Sequence, residues 1–277
     1  MNFTPTILYL STVLPPIILG IIIWKSDRFH EPGKFLAASF LLGVSISLPL
    51  DLLILITENI FAPMMGLEPK LYYDFKPDGG SEFPYAESAF LNFFRAAFLE
   101  EGLKFALLIF FCVRLADLNE PMDAIVYSAA IGLGYAAMEN AGYLMSSNYE
   151  TAWSMKMVKA RYYPLVMHLG FGVVMGFFLG QNLFGETSVF KRRVMLILSF
   201  MVPVVYHGVY NYRQLADIFP LLTAILTFGI IYVARRDQLQ KITESVDKAR
   251  VENIDVFYSY LLTLLLVALI IISAIIY

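Results

Sequence analysis

Long apolar blocks separated by polar connections run from one end of this chain to the other. Eight blocks stand out, at roughly 6–24, 36–60, 88–113, 122–145, 161–184, 194–211, 217–234 and 254–276. A hydrocarbon core about 30 Å thick needs about 20 apolar residues in helical form, so each block is a candidate span. Only helices and closed barrels satisfy their own backbone groups in lipid, and blocks of this length select helices. The pattern therefore predicts an all-α polytopic transmembrane bundle of about eight spanning helices, read as one integral membrane domain over 1–277. Two connections are longer than the rest. Residues 61–86 carry Pro63, Pro69, Pro77, Gly79, Gly80 and Pro84, which predicts an external loop able to cap a cavity. Residues 235–253 are densely charged and read as a solvated cytoplasmic linker.

Composition narrows the class further. The chain is 58% hydrophobic and 16% charged, against roughly 25% charged in a soluble domain. No nucleic-acid signature is present, and Cys112, the one cysteine, permits no intramolecular disulfide. No Lys or Arg precedes the first block, which therefore reads as a retained helix rather than a secretory leader. Basic residues fall unevenly on the two sets of connections. Lys25, Arg28, Lys34, Arg114, Lys191, Arg192, Arg193, Arg235, Arg236, Lys241, Lys248 and Arg250 share one side; Lys70, Lys76, Lys156, Lys159, Arg161 and Arg213 share the other. Basic loops stay in the cytoplasm, so both termini are expected outside it.

Ionisable groups inside spans are expensive, and here they concentrate on four of them. The third holds Glu100-Glu101-Gly102-Leu103-Lys104. Glu100 and Lys104 share a face at the four-residue spacing that permits an ion pair, while Glu101 points about 100° away and needs a partner from another helix. The fourth holds Gly132-Leu133-Gly134-Tyr135, then Glu139-Asn140 one turn on, with glycines that let another backbone come close. The fifth places His168 on a face with Gly172, Gly176 and Gly180, and the sixth aligns His207 with Asn211. At 1.5 Å per residue, all four motifs fall in the middle to outer half of the membrane. That common depth predicts one site. Asp51 beside Pro49 is expected to pair with a backbone donor or Arg95, and Glu58 and Arg95 to snorkel to the interface. Trp24, Trp153, Tyr162 and Tyr163 read as interfacial anchors.

Together, Glu100-Glu101-x-x-Lys104, Tyr135-x-x-x-Glu139-Asn140, His168 and His207-Gly208-x-Tyr210-Asn211 resemble the PrsW family of intramembrane proteases, within the group containing CAAX prenyl proteases and bacteriocin-processing enzymes. The resemblance covers a motif core of about 88–211. Tyr135 stands where the pattern often has Phe, and Leu169 follows His168 where a second His is common. The resemblance implies a bacterial membrane endopeptidase of glutamic type, acting on single-span or membrane-associated proteins such as an anti-sigma factor.

Amide hydrolysis needs a base for water, an acid for the leaving nitrogen and donors for the oxyanion. Glu100 or Glu101 is the candidate base, with Lys104 keeping the other ionised. His168 orients water or protonates the leaving amine; His207 and Asn211 donate to the oxyanion. Glu139 binds water or orients a histidine, with Tyr135 and Asn140 supporting. No cofactor is expected on this reading. Two alternatives stand beside it. Glu100, Glu101, Glu139, His168 and His207 are also a zinc-type ligand set, without an H-E-x-x-H helix to strengthen it. Intramembrane acids and histidines also serve ion-coupled transporters, though no repeat of interrupted helices accompanies them here.

Overall fold

The computed structural model describes residues 5–66, 89–146, 161–185, 188–213 and 219–243. Among them it forms helices and no strand. α1 spans Pro5–Ser26; α2 runs over Gly33–Met64; α3 begins as Phe90–Phe98 and continues through Leu99–Phe110; α4 is Pro121–Ser146; α5 is Tyr162–Phe184; α6 is Val189–Arg213; α7 is Phe219–Thr243. These occupy the first seven predicted blocks, with ends displaced by a few residues and, for α7, by nine at its C-terminal end. The eighth block, the stretch 67–86 of the external loop, and the linker beyond Thr243 lie outside the described residues. By length and composition, Gly33–Met64, Tyr162–Phe184, Val189–Asn211 and Phe219–Gln238 can each cross a membrane.

α5 is the axis of the bundle: fifteen of its residues between Tyr163 and Gly180 are buried, and α4, α6 and α7 pack around it. α4 is nearly as enclosed, because α1 and α2 cover the side that α5 leaves open. Small residues permit this closeness. A Cβ on Gly132 would lie 2.5 Å from the His168 carbonyl oxygen, and one on Gly172 would lie 2.6 Å from that of Ser128. The two backbones touch at the level of the polar motifs, so the position of His168 is set by backbone contact. Without a hydrophobic force between helices in lipid, such packing and interhelical hydrogen bonds hold the bundle. The outward faces carry Leu48, Leu52 and Leu55 on α2, Ile197 and Val205 on α6, and Ile225 on α7, all exposed as lipid contacts.

Two irregularities border the site. The nine residues Phe90–Phe98 form a π-helical stretch immediately before the glutamates, with the rings of Phe90, Phe94 and Phe98 stacked at 5.4 and 5.5 Å. π turns are rare and concentrate near functional sites. In α6, Pro203 cannot donate to the carbonyl one turn back, opening the ladder just before His207.

Three expectations are corrected here. Arg95 Nε donates to Glu58 Oε1 at 3.0 Å, tying α3 to α2, so neither residue snorkels alone and Arg95 is not the partner of Asp51. Asp51 itself is exposed on α2. Tyr163 is 3% exposed and belongs to the core, since α5 is enclosed from its first turn.

Candidate active site

The four motifs meet. Glu101 is fully buried, and its Oε1 accepts hydrogen bonds from Lys104 Nζ at 2.7 Å and His207 Nδ1 at 3.0 Å. Lys104 lies 3.9 Å from Glu100 Oε2. The helical spacing allows Lys104 either acid, and the structure selects the nearer one in sequence. This reverses the expected pairing: Glu101 takes the ammonium, and Glu100 is left at longer range. The reason is burial, since Glu101 has no solvent and needs the direct charge-assisted bond more.

Lys104 does more than neutralise. Its Nζ also donates to His168 Nδ1 at 3.0 Å and sits 4.4 Å from the Tyr135 ring centre. An ammonium has only donors, so Nδ1 must be the bare nitrogen of His168, and the ring proton lies on Nε2. Nε2 then donates to Glu139 Oε2 at 3.1 Å. Both ring nitrogens are engaged, and the tautomer is fixed from both sides. His207 is fixed likewise: a carboxylate only accepts, so Nδ1 carries a proton. Its ring stacks on Phe171 at 4.8 Å and meets His168 edge-on at 5.5 Å.

Above this network a cavity of about 440 Å³ opens, lined by Asn92, Arg95, Glu100, Glu139, Arg161, His168, His207 and Asn211 among others. Glu101, Lys104 and Asn140 do not line it. The two adjacent glutamates therefore differ in place: Glu100 faces the cavity, with a buried Oε2 that lacks a hydrogen bond, whereas Glu101 lies behind it.

Arg161 is the residue that the sequence reading missed. It precedes α5 and reads in the sequence as an outer loop charge, yet Nη2 pairs with Glu139 Oε2 at 2.7 Å and Nε donates to Asn140 Oδ1 at 2.9 Å. This gives Asn140 its place, as the clamp on an arginine. The available signal was position: an arginine two turns before His168 must lie near the same helix end as the site.

The zinc alternative can be judged on the donors. Glu100, Glu101 and His168 each offer an atom within 4.8 Å of the others, which is a zinc-type set by chemistry. The Lys104 ammonium, however, already holds Glu101 Oε1 and His168 Nδ1, with its side chain 2% exposed. A metal taking those atoms would have to share them with a buried cation. In this arrangement Glu100, Glu101 and His168 do not fit a metal, and no step below runs through one.

Comparison with known proteins gives a consistent result. The family described as PrsW family intramembrane metalloprotease matches residues 31–235. Protease PrsW of Geobacillus kaustophilus is 34% identical over 207 residues, covering 74% of this chain and 78% of that protein. Protease PrsW of Bacillus subtilis is 32% identical over 204 residues, covering 72% and 79%. That of Clostridioides difficile is 26% identical over 236 residues, covering 84% and 90%. No solved structure matches. With the four motifs gathered around one intramembrane cavity and the family match spanning most of the chain, the protein belongs to the PrsW family of intramembrane proteases.

Proposed function

We propose that this protease activates water with Glu100 and needs no metal to do so. The observation that carries the reading is the difference between the paired acids: Glu100 borders the cavity with its side chain 13% exposed, while Glu101 is fully buried behind it, locked by Lys104 and His207. Glu100 takes a proton from water as the water oxygen bonds to the substrate carbonyl carbon, and the carbonyl π electrons move onto oxygen. Asn211 donates to that oxyanion beside His207, whose Nδ1 proton is held by Glu101. Collapse of the intermediate breaks the carbon–nitrogen bond, and Glu100 returns the proton to the leaving nitrogen. His168 is a positioning residue, since Lys104 and Glu139 occupy both its nitrogens. Glu139 orients it and is itself held by Arg161.

The substrate is a single-span or membrane-associated protein, with an anti-sigma factor the natural candidate from the family likeness. Both termini lie outside the cytoplasm, an orientation that places the cavity mouth, near the start of α5, on the outer side. Purified chain in proteoliposomes, offered a panel of tagged single-span bacterial proteins, should produce new termini detectable by mass spectrometry. The reading is overturned if wild type cleaves a substrate and Glu100→Gln cleaves it equally fast.

A further inference from the structure

A second polar cluster lies far from the cavity. Asp123 precedes Glu139 on α4 by sixteen residues, about 24 Å of helix. Asp27 follows α1, Glu120 immediately precedes α4, Asp123 lies in the first turn of α4, and Gln238 lies on α7. Asp27 and Asp123 are each 1% exposed, and one oxygen from each of Asp27, Glu120 and Asp123 lies within 4.8 Å of the other two. Glu31, on the connection between α1 and α2, is buried beside them and accepts the Tyr127 hydroxyl at 2.6 Å.

The carboxylates are oriented in a particular way. Asp123 Oδ2 accepts the backbone N–H groups of Asn119 and Glu120, both at 2.7 Å, while its Oδ1 is buried without a partner. Asp27 Oδ1 accepts from Phe29 N at 3.0 Å and Gln238 Nε2 at 2.9 Å, while its Oδ2 is buried without a partner. Gln238 Nε2 also bonds Glu120, and the Gln238 Oε1, on a residue 3% exposed, has no partner either. One oxygen of each aspartate is anchored and the other is bare. Buried oxygens without a donor are unfavourable unless something positive meets them. Arg28, Arg235 and Glu120 each make further interactions.

We propose that Asp27, Glu120 and Asp123 bind a hard divalent cation, Mg2+ or Ca2+, which clamps the α1–α2 connection, α4 and α7 together. The donors are all oxygens, without His or Cys, which is the preference of these ions rather than of zinc or copper. Gln238 orients two of the ligands, as the outer shell of a metal site does. The ion is remote from the reacting atoms, so it acts on the stability of the bundle and not on turnover per folded molecule.

The test uses full-length chain in nanodiscs, stripped with EDTA and dialysed, then titrated with MgCl2, CaCl2 or MnCl2 at fixed ionic strength. Wild type should gain about 5 °C in Tm at saturation, as for a ligand at about 100 times its Kd, and Mn2+ electron paramagnetic resonance should count one bound ion per chain. Asp27→Asn and Asp123→Asn retain an oxygen for the same hydrogen bonds and should fold, yet lose both responses. Glu101→Gln should retain both, which separates this site from the cavity. No response of wild type to any of the three ions, unchanged responses in the Asn variants, or loss of the responses in Glu101→Gln would each overturn the proposal.

Discussion

Lys104→Met tests the heart of the site. Methionine matches the length of lysine but removes both Nζ bonds, to Glu101 at 2.7 Å and to His168 at 3.0 Å, in a place where the lysine side chain is 2% exposed. Breaking a buried pair from one side leaves an uncompensated charge and is destabilising by about 3–5 kcal/mol. At roughly 2–4 °C per kcal/mol for a chain of this size, Tm should fall by about 10 °C. Adding Glu101→Gln removes the orphaned charge, so the double variant should melt well above Lys104→Met alone, because replacing both partners is far less damaging than removing one. Cleavage should not recover with stability: His168 Nδ1 still lacks its donor, and the ring is free to take the other tautomer. Thermal melting and cleavage in proteoliposomes read the two effects separately. A Lys104→Met variant that melts and cleaves like wild type would refute the reasoning.

Three further outcomes follow from the same geometry. Gly132→Ala puts a Cβ against the His168 carbonyl, at a distance that requires α5 to shift; a Tm loss equivalent to about 1–3 kcal/mol and a larger proportional loss of kcat are expected from melting and single-turnover cleavage. Arg161→Gln removes the cation from Glu139 and should lower kcat about 100-fold or more through misplacement of His168, with circular dichroism showing the helices intact. 1,10-Phenanthroline, which removes zinc and leaves Mg2+ and Ca2+ in place, should leave cleavage unchanged; abolition by the chelator and restoration by added zinc would show that a metal displaces Lys104 after all.

The parts of this architecture that were legible in the sequence are those where lipid removes alternatives. Apolar runs announce the helices α1 to α7, of which α2, α5, α6 and α7 are long and apolar enough to cross a bilayer, and acids or histidines inside such runs stand out because hydrocarbon offers them nothing else. Glu100, Glu101, Glu139, His168 and His207 were found in this way, and their common depth foretold that they meet. Other features escaped because the local pattern permits two answers. Helical spacing allows Lys104 to reach residues three or four back, and only the difference in burial between Glu101 and Glu100 decides. Arg161 lies just outside a span, where a positive charge is indistinguishable from a loop residue until Glu139 is seen beside it. Asp27, Glu120 and Asp123 come from two connections far apart in the chain, and nothing in either suggests that both fold inward. Tyr163, at a helix end, looks like an interfacial aromatic, yet tertiary packing encloses it.

The central claim, that Glu100 rather than Glu101 is the base, is tested most directly by comparing Glu100→Gln and Glu101→Gln in single-turnover cleavage alongside thermal melting. Glu100→Gln should melt within about 2 °C of wild type, in keeping with a partly exposed group away from the buried bonds, and should lose cleavage by 100-fold or more, the lower range for a missing acid–base group. Glu101→Gln should lose stability first, because Lys104 and His207 are left facing a neutral amide. A Glu100→Gln enzyme that still cleaves near the wild-type rate would contradict the account.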